Sequence, residues 1–329
     1  MRLVLMGTGT FAEPAFQALL AGRHEVACVV TQPPPKKTGS ERGSTRQIGI
    51  GVHILALRAG VPVWRPESIN TPEAIAQLAS YGADLLVVAA YGQILKPGAL
   101  SAARLGGINL HASLLPRHRG AAPVAWSILS GDTETGVSVL RMTPALDAGD
   151  LVGVARTPIG PEETAGDLEF RLADIAAKLG VEVVDRMDQG PLAGESQDPT
   201  RVTRAPKLKK EMGDLDWSES AERLALVVRA MQPWPTAYTH WDRPSEGKPP
   251  VRLLVVKARA VPGETHGAEP GTLLPPPRDL GCMRVATGGG VLELLNIQPA
   301  GKAVMDAGAF LRGRRHQPGD RLIRGAVTS

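Results

Sequence analysis

Short runs of almost entirely apolar residues alternate with segments of helical spacing along the first half of the chain. The apolar runs are Leu3–Gly7, Glu25–Thr31, Leu85–Tyr91 and Ile108–Ser113. The segments with apolar residues on one helical face are Pro14–Ala21, Ile50–Ala59 and Thr71–Tyr81. Continuous apolar strands separated by helices are typical of a parallel sheet that is covered on both faces. We therefore predict an α/β domain with a mostly parallel, Rossmann-like sheet and helices on both faces.

Two further strands and a long helix complete this first domain, which we place at residues 1–189. Thr135–Met142 and Leu151–Pro158 have the residue types of strands, and Thr164–Met187 has the spacing of a long amphipathic helix. Residues 190–210 then form a polar connector, which contains turn-forming glycines and prolines and ends in the basic run RVTRAPKLKK. The domain boundary is expected in this connector.

The remaining residues, 211–329, have a different pattern. One helix is predicted over Ser218–Met231, with either Ser218 or Ser220 as its N-terminal cap. Short strands follow at Val251–Ala260, Gly271–Leu274, Met283–Thr287 and Val291–Ile297. Several short strands with glycine-rich turns are typical of a small barrel. We predict a smaller C-terminal β-barrel domain that is similar to the oligonucleotide-binding (OB) fold.

The composition is that of a globular protein with a sizeable core, because 43% of the 329 residues are hydrophobic. No apolar run has the length that a membrane-spanning helix needs, so no membrane partner is expected. The opening residues MRLVLMG begin a buried strand and show no signal-peptide pattern. The two cysteines, Cys28 and Cys282, lie far apart and lack metal-ligand spacing, which indicates a reduced, cytoplasmic compartment.

The net charge of +4 hides an asymmetry along the chain. Residues 1–200 contain 17 Lys and Arg against 20 Asp and Glu, whereas residues 201–329 contain 20 against 13. The first part is therefore mildly acidic and the second part is basic. A basic second part indicates a polyanionic partner, although a basic domain without such a partner explains the charge equally well.

A polar loop is predicted over Gln32–Gln47, which contains four basic residues, three prolines and two glycines. This segment is too polar and too broken to form a core element, so we expect a mobile surface loop. Its basic side chains suit contacts to phosphates, and a solvated loop without a partner is the alternative. The basic residues of the loop are Lys36, Lys37, Arg42 and Arg46.

Gly7-Thr8-Gly9 follows the first strand and has the start of a dinucleotide-binding fingerprint. Ala12 stands where the third glycine is needed, and the second strand runs into Thr31-Gln32-Pro33 without an acidic residue. A tight strand-to-helix turn with an anion site at the helix N-terminus is therefore the preferred interpretation. Nicotinamide-dependent oxidoreduction remains the less favoured alternative.

Asn109 and His111 carry the most informative chemistry in the chain. They lie two residues apart on a predicted strand, so their side chains project from the same face. A carboxylate that can orient the histidine follows at Asp147, while Asp150 is interpreted as structural. His118 lies between two arginines and is expected to be exposed. An amide donor, a neutral imidazole and a buried carboxylate suit acyl transfer to an amine, and this chemistry needs no metal.

Two segments at the carboxyl ends of neighbouring strands are predicted to bind a ligand, because open α/β sheets bind ligands at that edge. The first ends the Leu85–Tyr91 strand and offers backbone N–H and C=O groups to a flat heterocycle. Its residues are Ala89, Ala90, Tyr91, Gly92 and Gln93. The second is the apolar turn that follows His111. Its residues are Ser113, Leu114, Leu115 and Pro116.

Together these motifs resemble the family of 10-formyltetrahydrofolate-dependent formyltransferases, and within it the branch that acts on methionyl-tRNA. The matching motifs of the first half are Met6-Gly7-Thr8, Phe11-Ala12, Thr31-Gln32-Pro33, Ala90-Tyr91-Gly92, Asn109 to Pro116, Arg119 to Pro123, Thr135-Gly136-Val137 and Leu146 to Asp150. Those of the second half are Asp216-Trp217-Ser218, Pro233-Trp234-Pro235, Gln298 to Lys302 and Pro318-Gly319-Asp320. They run along the whole chain in the order that the family has.

The resemblance implies an enzyme that transfers the formyl group of 10-formyltetrahydrofolate to the α-amine of initiator methionyl-tRNA, for translation initiation. It implies that Asn109 donates a hydrogen bond to the oxyanion, that His111 accepts or relays the proton, and that Asp147 holds the ring of His111 in one tautomer. The two ligand-binding segments would contact the folate co-substrate. It also implies a monomer.

The resemblance further implies that basic residues bind the acceptor stem of the tRNA. In the connector and just after it, these are Lys207, Lys209 and Lys210. In the loop, the sequence departs from the family, since Pro34 stands where the family usually continues with an aspartate and a longer Gly/Lys-rich run. Arg42 is the first choice among the four basic residues. Three alternatives remain: a formyltransferase for a sugar-nucleotide amine or glycinamide ribonucleotide, a folate- or RNA-binding module without turnover, and a nicotinamide-dependent oxidoreductase.

Overall fold

A computed structural model describes residues 1–34, 51–244, 247, 249–275, 281–313 and 319–325. The chain divides into two compact units. The first comprises Met1–Ser127, Asp132–Gly160 and Asp167–Lys207, and the second comprises Ile128–Gly131, Pro161–Gly166 and Leu208–Ser329. Among the described residues, no helix is both long enough and apolar enough to span a bilayer.

Nine strands and six α-helices occur in the described residues up to Lys207, together with a short 3₁₀ helix at Pro199–Arg201. The strands are β1 (Arg2–Gly7), β2 (Glu25–Val30), β3 (Val63–Trp64), β4 (Leu85–Ala89), β5 (Gly107–His111), β6 (Arg119–Gly120), β7 (Glu134–Arg141), β8 (Leu151–Pro158) and β9 (Arg204–Ala205). The helices are α1 (Gly9–Leu20), α2 (Val52–Arg58), α3 (Pro72–Ser80), α4 (Pro97–Leu100), α5 (Pro123–Leu129) and α6 (Ala165–Gln189).

Seven of these strands form one sheet in the order β3-β2-β1-β4-β5-β7-β8. The first five are parallel, and β7 and β8 are antiparallel. The strand order reverses at β1, since β2 lies on one side of it and β4 on the other. Ligands in open α/β sheets bind beyond the carboxyl ends of the strands near such a reversal. The prediction of a mostly parallel, Rossmann-like sheet is confirmed.

Helices cover both faces of this sheet, as predicted. On one face, Leu110 of β5 packs against Gly180 of α6, where an added Cβ would lie 3.2 Å from the leucine side chain. On the other face, Leu78 of α3 and Leu100 of α4 join a buried cluster with Val88 of β4. Because side chains alternate along a strand, the neighbours of Leu110 on β5 project away from α6. Those neighbours are Asn109 and His111.

The second unit contains seven strands and two helices in its described part. The strands are β10 (Ala237–Asp242), β11 (Val251–Val261), β12 (Leu273–Leu274), β13 (Met283–Ala286), β14 (Val291–Pro299), β15 (Met305–Asp306) and β16 (Arg321–Ile323). The helices are α7 (Ala221–Ala230) and α8 (Ala307–Arg312). The antiparallel sheet has the order β12-β13-β14-β11-β10-β16, and β15 pairs with β14.

This second sheet closes on itself. Thr272, just before β12, bridges to Arg321 of β16, and the N–H of Leu322 donates to the carbonyl oxygen of Gly271 at 2.8 Å. Gly271 has φ of +88°, and an added Cβ would lie 2.2 Å from the oxygen of Leu322, so only glycine fits this closure. The prediction of a small OB-like barrel is confirmed.

Ser220, rather than Ser218, caps α7. The hydroxyl oxygen of Ser220 accepts the N–H of Arg223 at 3.2 Å. The hydroxyl of Ser218 instead donates to Oδ1 of Asp216 at 2.6 Å, and the N–H of Ser218 donates to the same oxygen. Both serines precede the apolar helical face, so the sequence alone does not decide which of them caps the helix. Because the hydroxyl of Ser218 bonds to Asp216, Ser220 is the serine that caps the helix.

The predicted connector, residues 190–210, differs from the structure. Glu195 exchanges two backbone hydrogen bonds with Leu151 at 2.8 Å, and β9 pairs with β6. Residues up to Lys207 therefore pack in the first unit, and the second unit resumes at Leu208. The polar sequence of this stretch conceals the packing, because its partners are mostly backbone groups. We refer to residues 195–205 as the return segment.

Candidate active site

Asn109 and His111 converge on Asp147 at the carboxyl end of β5. The Nδ2 of Asn109 lies 3.5 Å from Oδ1 of Asp147, and the Nδ1 of His111 lies 3.8 Å from Oδ2. Asn109 is half-buried, while the side chains of His111 and Asp147 are 5% and 9% exposed. The structure thus brings the three residues singled out in the sequence into one site.

The ring of His111 is oriented by a backbone group. Its Nε2 lies 2.9 Å from the carbonyl oxygen of His118. A carbonyl oxygen only accepts hydrogen bonds, so Nε2 must carry the proton. In the neutral ring, Nδ1 is then an unprotonated nitrogen that faces Asp147. The tautomer is therefore set by the His118 carbonyl, a role that the sequence interpretation had assigned to Asp147.

Asp147 occupies a tight turn between β7 and β8. Its φ of +51° lies in the left-handed region, which is uncommon for residues other than glycine. Its Oδ2 accepts the N–H of Gly120 at 2.9 Å. Two residues later, an added Cβ at Gly149 would lie 1.9 Å from the carbonyl oxygen of Arg141, so this turn packs closely on the end of β7. The carboxylate is held in a defined orientation.

His118 is buried, so its predicted exposure is wrong. Its side chain is 3% exposed, and its Nε2 lies 2.7 Å from Oδ2 of Asp132. Its N–H donates to the hydroxyl of Thr203 at 2.8 Å, and burial lowers the pKa of the ring. The adjacent Arg117 pairs with the other oxygen of Asp132, so its positive charge lies close to the ring and also lowers the pKa of His118. Neither Asp132 nor Thr203 has a spacing in the sequence that reveals this contact.

The turn after His111 is fixed by hydroxyl groups. Ser113 is buried and its hydroxyl donates to the carbonyl oxygen of Arg117 at 2.7 Å. The hydroxyl of Ser138 donates to the Ser113 carbonyl at 2.8 Å and accepts the N–H of Leu115 at 3.1 Å. Within Ser113 to Pro116, only Leu114 is more than marginally exposed. The turn therefore presents Leu114 and is otherwise part of the interior.

The segment after β4 lies beside Asn109, because Val88 and Ala89 pair with Asn109 and Leu110. Ala90 is exposed with φ of +47°, and Gly92 is exposed with φ of +83°. The ring of Tyr91 is buried in the core, which raises the pKa of its hydroxyl to about 12.

The carbonyl of Tyr91 accepts from Gln32 at 2.9 Å, and the side-chain oxygen of Gln93 accepts the N–H of Ile69 at 2.8 Å. These bonds turn the side chain of Gln93 toward the protein. The segment therefore offers its backbone near Ala90 and Gly92 to the crevice, rather than the side chains of Tyr91 or Gln93.

The basic residues singled out in the sequence are only partly described. Lys207, Lys209 and Lys210 are exposed. The four basic residues of the loop lie outside the described residues, and these are Lys36, Lys37, Arg42 and Arg46. The three lysines lie just after the return segment. Because their side chains are exposed, a polyanion can reach them.

The three converging groups supply complementary chemistry. The amide of Asn109 can donate to an oxygen that gains negative charge. The unprotonated Nδ1 of His111 can accept a proton, and the carboxylate of Asp147 stabilises the imidazolium that results. The distance of 3.5 Å between Asn109 and Asp147 is long for a hydrogen bond, so the amide is free to bind a substrate oxygen more tightly.

Comparisons with known proteins cover both halves of the chain. The family described as Formyl transferase matches residues 1–184, and the family described as Formyl transferase, C-terminal domain, matches residues 207–315. Methionyl-tRNA formyltransferase of Rhodopirellula baltica is 45% identical over 335 residues, which cover 98% of this chain and 97% of that protein. The protein of the same name from Symbiobacterium thermophilum is 43% identical over 98% of this chain and 95% of its own length.

A solved structure shares the fold at much lower identity. It is the N-formyltransferase of Helicobacter canadensis, solved with folinic acid and dTDP-3-aminofucose. Its TM-score with this chain is 0.61 at 14% identity, and the match covers 90% of this chain and 98% of the other. At that identity the likeness shows the fold alone.

Proposed function

This chain belongs to the formyl transferase family, and we propose that it transfers a formyl group from 10-formyltetrahydrofolate to the α-amine of initiator methionyl-tRNA. Relatives that match nearly the whole chain carry the name methionyl-tRNA formyltransferase, and the family takes its formyl group from folate-derived donors. The product is N-formylmethionyl-tRNA for translation initiation. The convergence of Asn109 and His111 on Asp147 is the observation that carries the proposal.

The residues at the carboxyl ends of β4 and β5 fit a folate donor. The exposed backbone at Ala90 and Gly92 lies one strand away from the half-buried amide of Asn109. A flat heterocycle can therefore hydrogen-bond to backbone groups while its formyl group approaches Asn109. Leu114 supplies an apolar contact, whereas Ser113, Leu115 and Pro116 would act through the shape of the turn. When bound, the donor supplies the formyl group.

His111 acts on the proton of the attacking amine. The new C–N bond forms from the amine to the formyl carbon, and the amine nitrogen loses one proton. Nδ1 of His111 accepts that proton because Nε2 already donates to the His118 carbonyl. The resulting imidazolium faces the carboxylate of Asp147, which stabilises its charge. The bond between the formyl carbon and the donor nitrogen then breaks, and the imidazolium returns the proton to that departing nitrogen. Atoms and charge balance over the two transfers.

Asn109 acts on the formyl oxygen. Its amide donates to that oxygen as negative charge develops there, and a donor of this kind contributes on the order of 3 kcal/mol. Proton transfer through a positioned histidine contributes about 10²- to 10⁴-fold. Neither contribution alone reaches the rate enhancement typical of enzymes, so holding the amine and the formyl carbon together supplies much of the remainder.

The tRNA would be held through its phosphates at the acceptor stem. The exposed Lys207, Lys209 and Lys210 support this role, because basic side chains bind the backbone without reading sequence. The four basic residues of the Gln32–Gln47 loop are proposed to take part as well. In this proposal residues 1–189 form the catalytic domain and residues 211–329 form the tRNA-binding domain, while most of residues 190–210 pack with the catalytic unit.

We further place the enzyme in the cytoplasm as a monomer. Its two cysteines, Cys28 and Cys282, are free and buried, and burial raises the pKa of both thiols. Unreactive free thiols suit a reducing compartment. Cell fractionation tests the compartment, and sedimentation at the assay concentration tests the oligomeric state.

One assay tests the proposed reaction. Purified protein is incubated with 10-formyltetrahydrofolate and charged initiator tRNA, with elongator methionyl-tRNA as the control acceptor. The expected result is formylation of the initiator at a much higher rate. Transfer to a sugar-nucleotide amine or to glycinamide ribonucleotide, without transfer to methionyl-tRNA, would contradict it. Binding of the folate without any turnover would also overturn it.

A further inference from the structure

Gln197, in the return segment, makes four hydrogen bonds around the Asp147 turn. Its Nε2 donates to the carbonyl oxygens of Asp147 at 2.9 Å and of Gly149 at 2.7 Å. Its Oε1 accepts from Nε and Nη2 of Arg119 at 3.1 and 2.7 Å. One amide therefore uses both of its hydrogens and both of its lone pairs at a single place. No motif or spacing indicates this role, since Gln197 lies in a stretch with the composition of a connector.

These bonds oppose the strain in the turn. Asp147 has a φ of +51°, which non-glycine residues adopt only when their surroundings hold them there. The amide of Gln197 ties together the carbonyls on either side of Ala148, which fixes the path of the backbone through the turn. The carboxylate itself is held separately, by the N–H of Gly120.

The return segment supplies both restraints. Gln197 belongs to it directly, and Gly120 is held by it, because β6 pairs with β9 in register. At Gly120, φ is +135° and an added Cβ would lie 2.4 Å from the carbonyl oxygen of Ala205. The N–H that orients the carboxylate is therefore placed by close backbone contact with Ala205, at the end of the return segment.

Charged side chains surround the Asp147 turn. Burial lowers the pKa of Arg119, the nearby Arg204 lowers it further, and the negative charge of Asp147 opposes both. The oxygen of Gln197 holds the guanidinium of Arg119 on the outer side of the turn. Asp147 faces His111, and Asp150 is a second carboxylate in the same turn. His118 interacts with His111 and pairs with Asp132, which also pairs with Arg117.

We propose that Gln197 is a positioning residue for formyl transfer, which holds the Asp147 turn so that the carboxylate faces Nδ1 of His111. This inference rests on the proposed function of Asp147. It assigns no contact with substrate to Gln197. Its loss therefore lowers kcat and leaves KM for both substrates nearly unchanged, because the misplaced group acts on the transferred proton and not on binding.

The first test compares Gln197→Met with a matched control. Methionine has the length of glutamine but makes none of the four hydrogen bonds. Ser196→Ala is the control, because the neighbouring Ser196 hydroxyl donates at 3.1 Å to Asp150, the other carboxylate of the same turn. We expect kcat of Gln197→Met to fall up to about 100-fold, and that of Ser196→Ala to stay within a few-fold of the wild type.

The second test asks whether Gln197 acts through Asp147. In the Asp147→Asn background, Gln197→Met should cause little further loss of kcat, because the carboxylate that it positions is already absent. In the wild-type background, the acidic limb of the kcat profile should move to lower pH, since a displaced carboxylate no longer stabilises the protonated ring. A purely structural role predicts independent losses and an unmoved limb. Thermal unfolding of each variant checks that it is folded at the assay temperature.

The outcomes separate this inference from the proposed function. If Asp147→Asn retains normal turnover, the proposed role of Asp147 fails. If Asp147→Asn is impaired while Gln197→Met behaves like Ser196→Ala, only the positioning role fails. Losses that multiply in the double variant would also overturn the positioning role. Gln197→Glu gives a second variant, since it keeps the acceptor for Arg119 and loses the donations to the two carbonyls, so a loss of kcat is expected there as well.

Discussion

The Nε2 proton of His111 is donated to the backbone carbonyl oxygen of His118, seven residues later, at 2.9 Å. This contact leaves Nδ1 as the basic atom of the ring and aims it at Asp147. A backbone carbonyl seven residues away along the chain therefore sets the tautomer of His111.

His111→Ala and Asn109→Ala should each lower turnover at least about 100-fold, because one removes the proton acceptor and the other removes the donor to the oxyanion. Steady-state kinetics of the folded variants measures this. Asp150→Asn is the matched control, since Asp150 is exposed and bonds to Ser196 rather than to the histidine. Near-normal rates in both alanine variants would remove the site assignment.

The stability of the first unit should fall with acid through His118. Burial lowers the pKa of His118 in the native state from its ordinary value of 6.5, so the unfolded chain binds a proton more readily. The stabilising contribution of the neutral His118 ring to the free energy of unfolding is therefore fully present above about pH 6.5. It is lost as pH falls toward the lowered native pKa. Denaturant unfolding over a series of pH values should show a flatter acid dependence for His118→Gln. Identical slopes in the two proteins would contradict the prediction.

Affinity for the tRNA should depend steeply on salt. Replacing Lys207, Lys209 and Lys210 by glutamine should weaken binding and reduce the slope of log affinity against log salt by roughly one per lost phosphate contact. Lys178→Gln, an exposed lysine on α6, is the control and should leave the slope unchanged. Binding titrations at several salt concentrations measure the slope. A triple variant with the wild-type slope would exclude these lysines from the interface.

The second unit offers a test of helix capping. Ser220→Ala removes the acceptor for the N–H of Arg223 and should cost about 1 kcal/mol of unfolding free energy. Ser218→Ala removes only an exposed bond to Asp216, so its cost should be smaller. Urea unfolding of the two variants decides the order. A larger loss in Ser218→Ala would mean that Ser218 caps the helix instead.

Periodicity predicts the elements that are long enough to show a repeating pattern of apolar residues. The predicted bounds of Leu151–Pro158 agree with β8 at both ends, and the long helix predicted at Thr164–Met187 occurs as α6. The two-residue strand β3 and the four-residue helix α4 are too short to show a period. Strand β10 went undetected because it follows Pro233-Trp234-Pro235 and has no continuous apolar run, although its residues alternate between buried and half-buried.

Some residues of the site are also predictable from the sequence, and others are not. Asn109 and His111 share a strand face, so their spacing reveals them, and Asp147 is identified by its place in a family motif. Gln197 acts through hydrogen bonds to two backbone carbonyls, and His118 acts through its own carbonyl oxygen, which accepts from His111. These groups come together only when the chain folds. No spacing in the sequence records such contacts. Fold class and reacting groups are therefore accessible from sequence, while the groups that orient them are not.

The closure of the barrel between Gly271 and Leu322 sets an order for the synthesis of this protein. Strand β16 is synthesised after the other described strands, yet it pairs with β10 and meets the start of β12. Until it emerges from the ribosome, the nascent barrel keeps two unpaired edges, and open edges invite pairing with other chains. The second unit must therefore finish folding after most of the chain has been translated, and chaperone protection matters most during that interval.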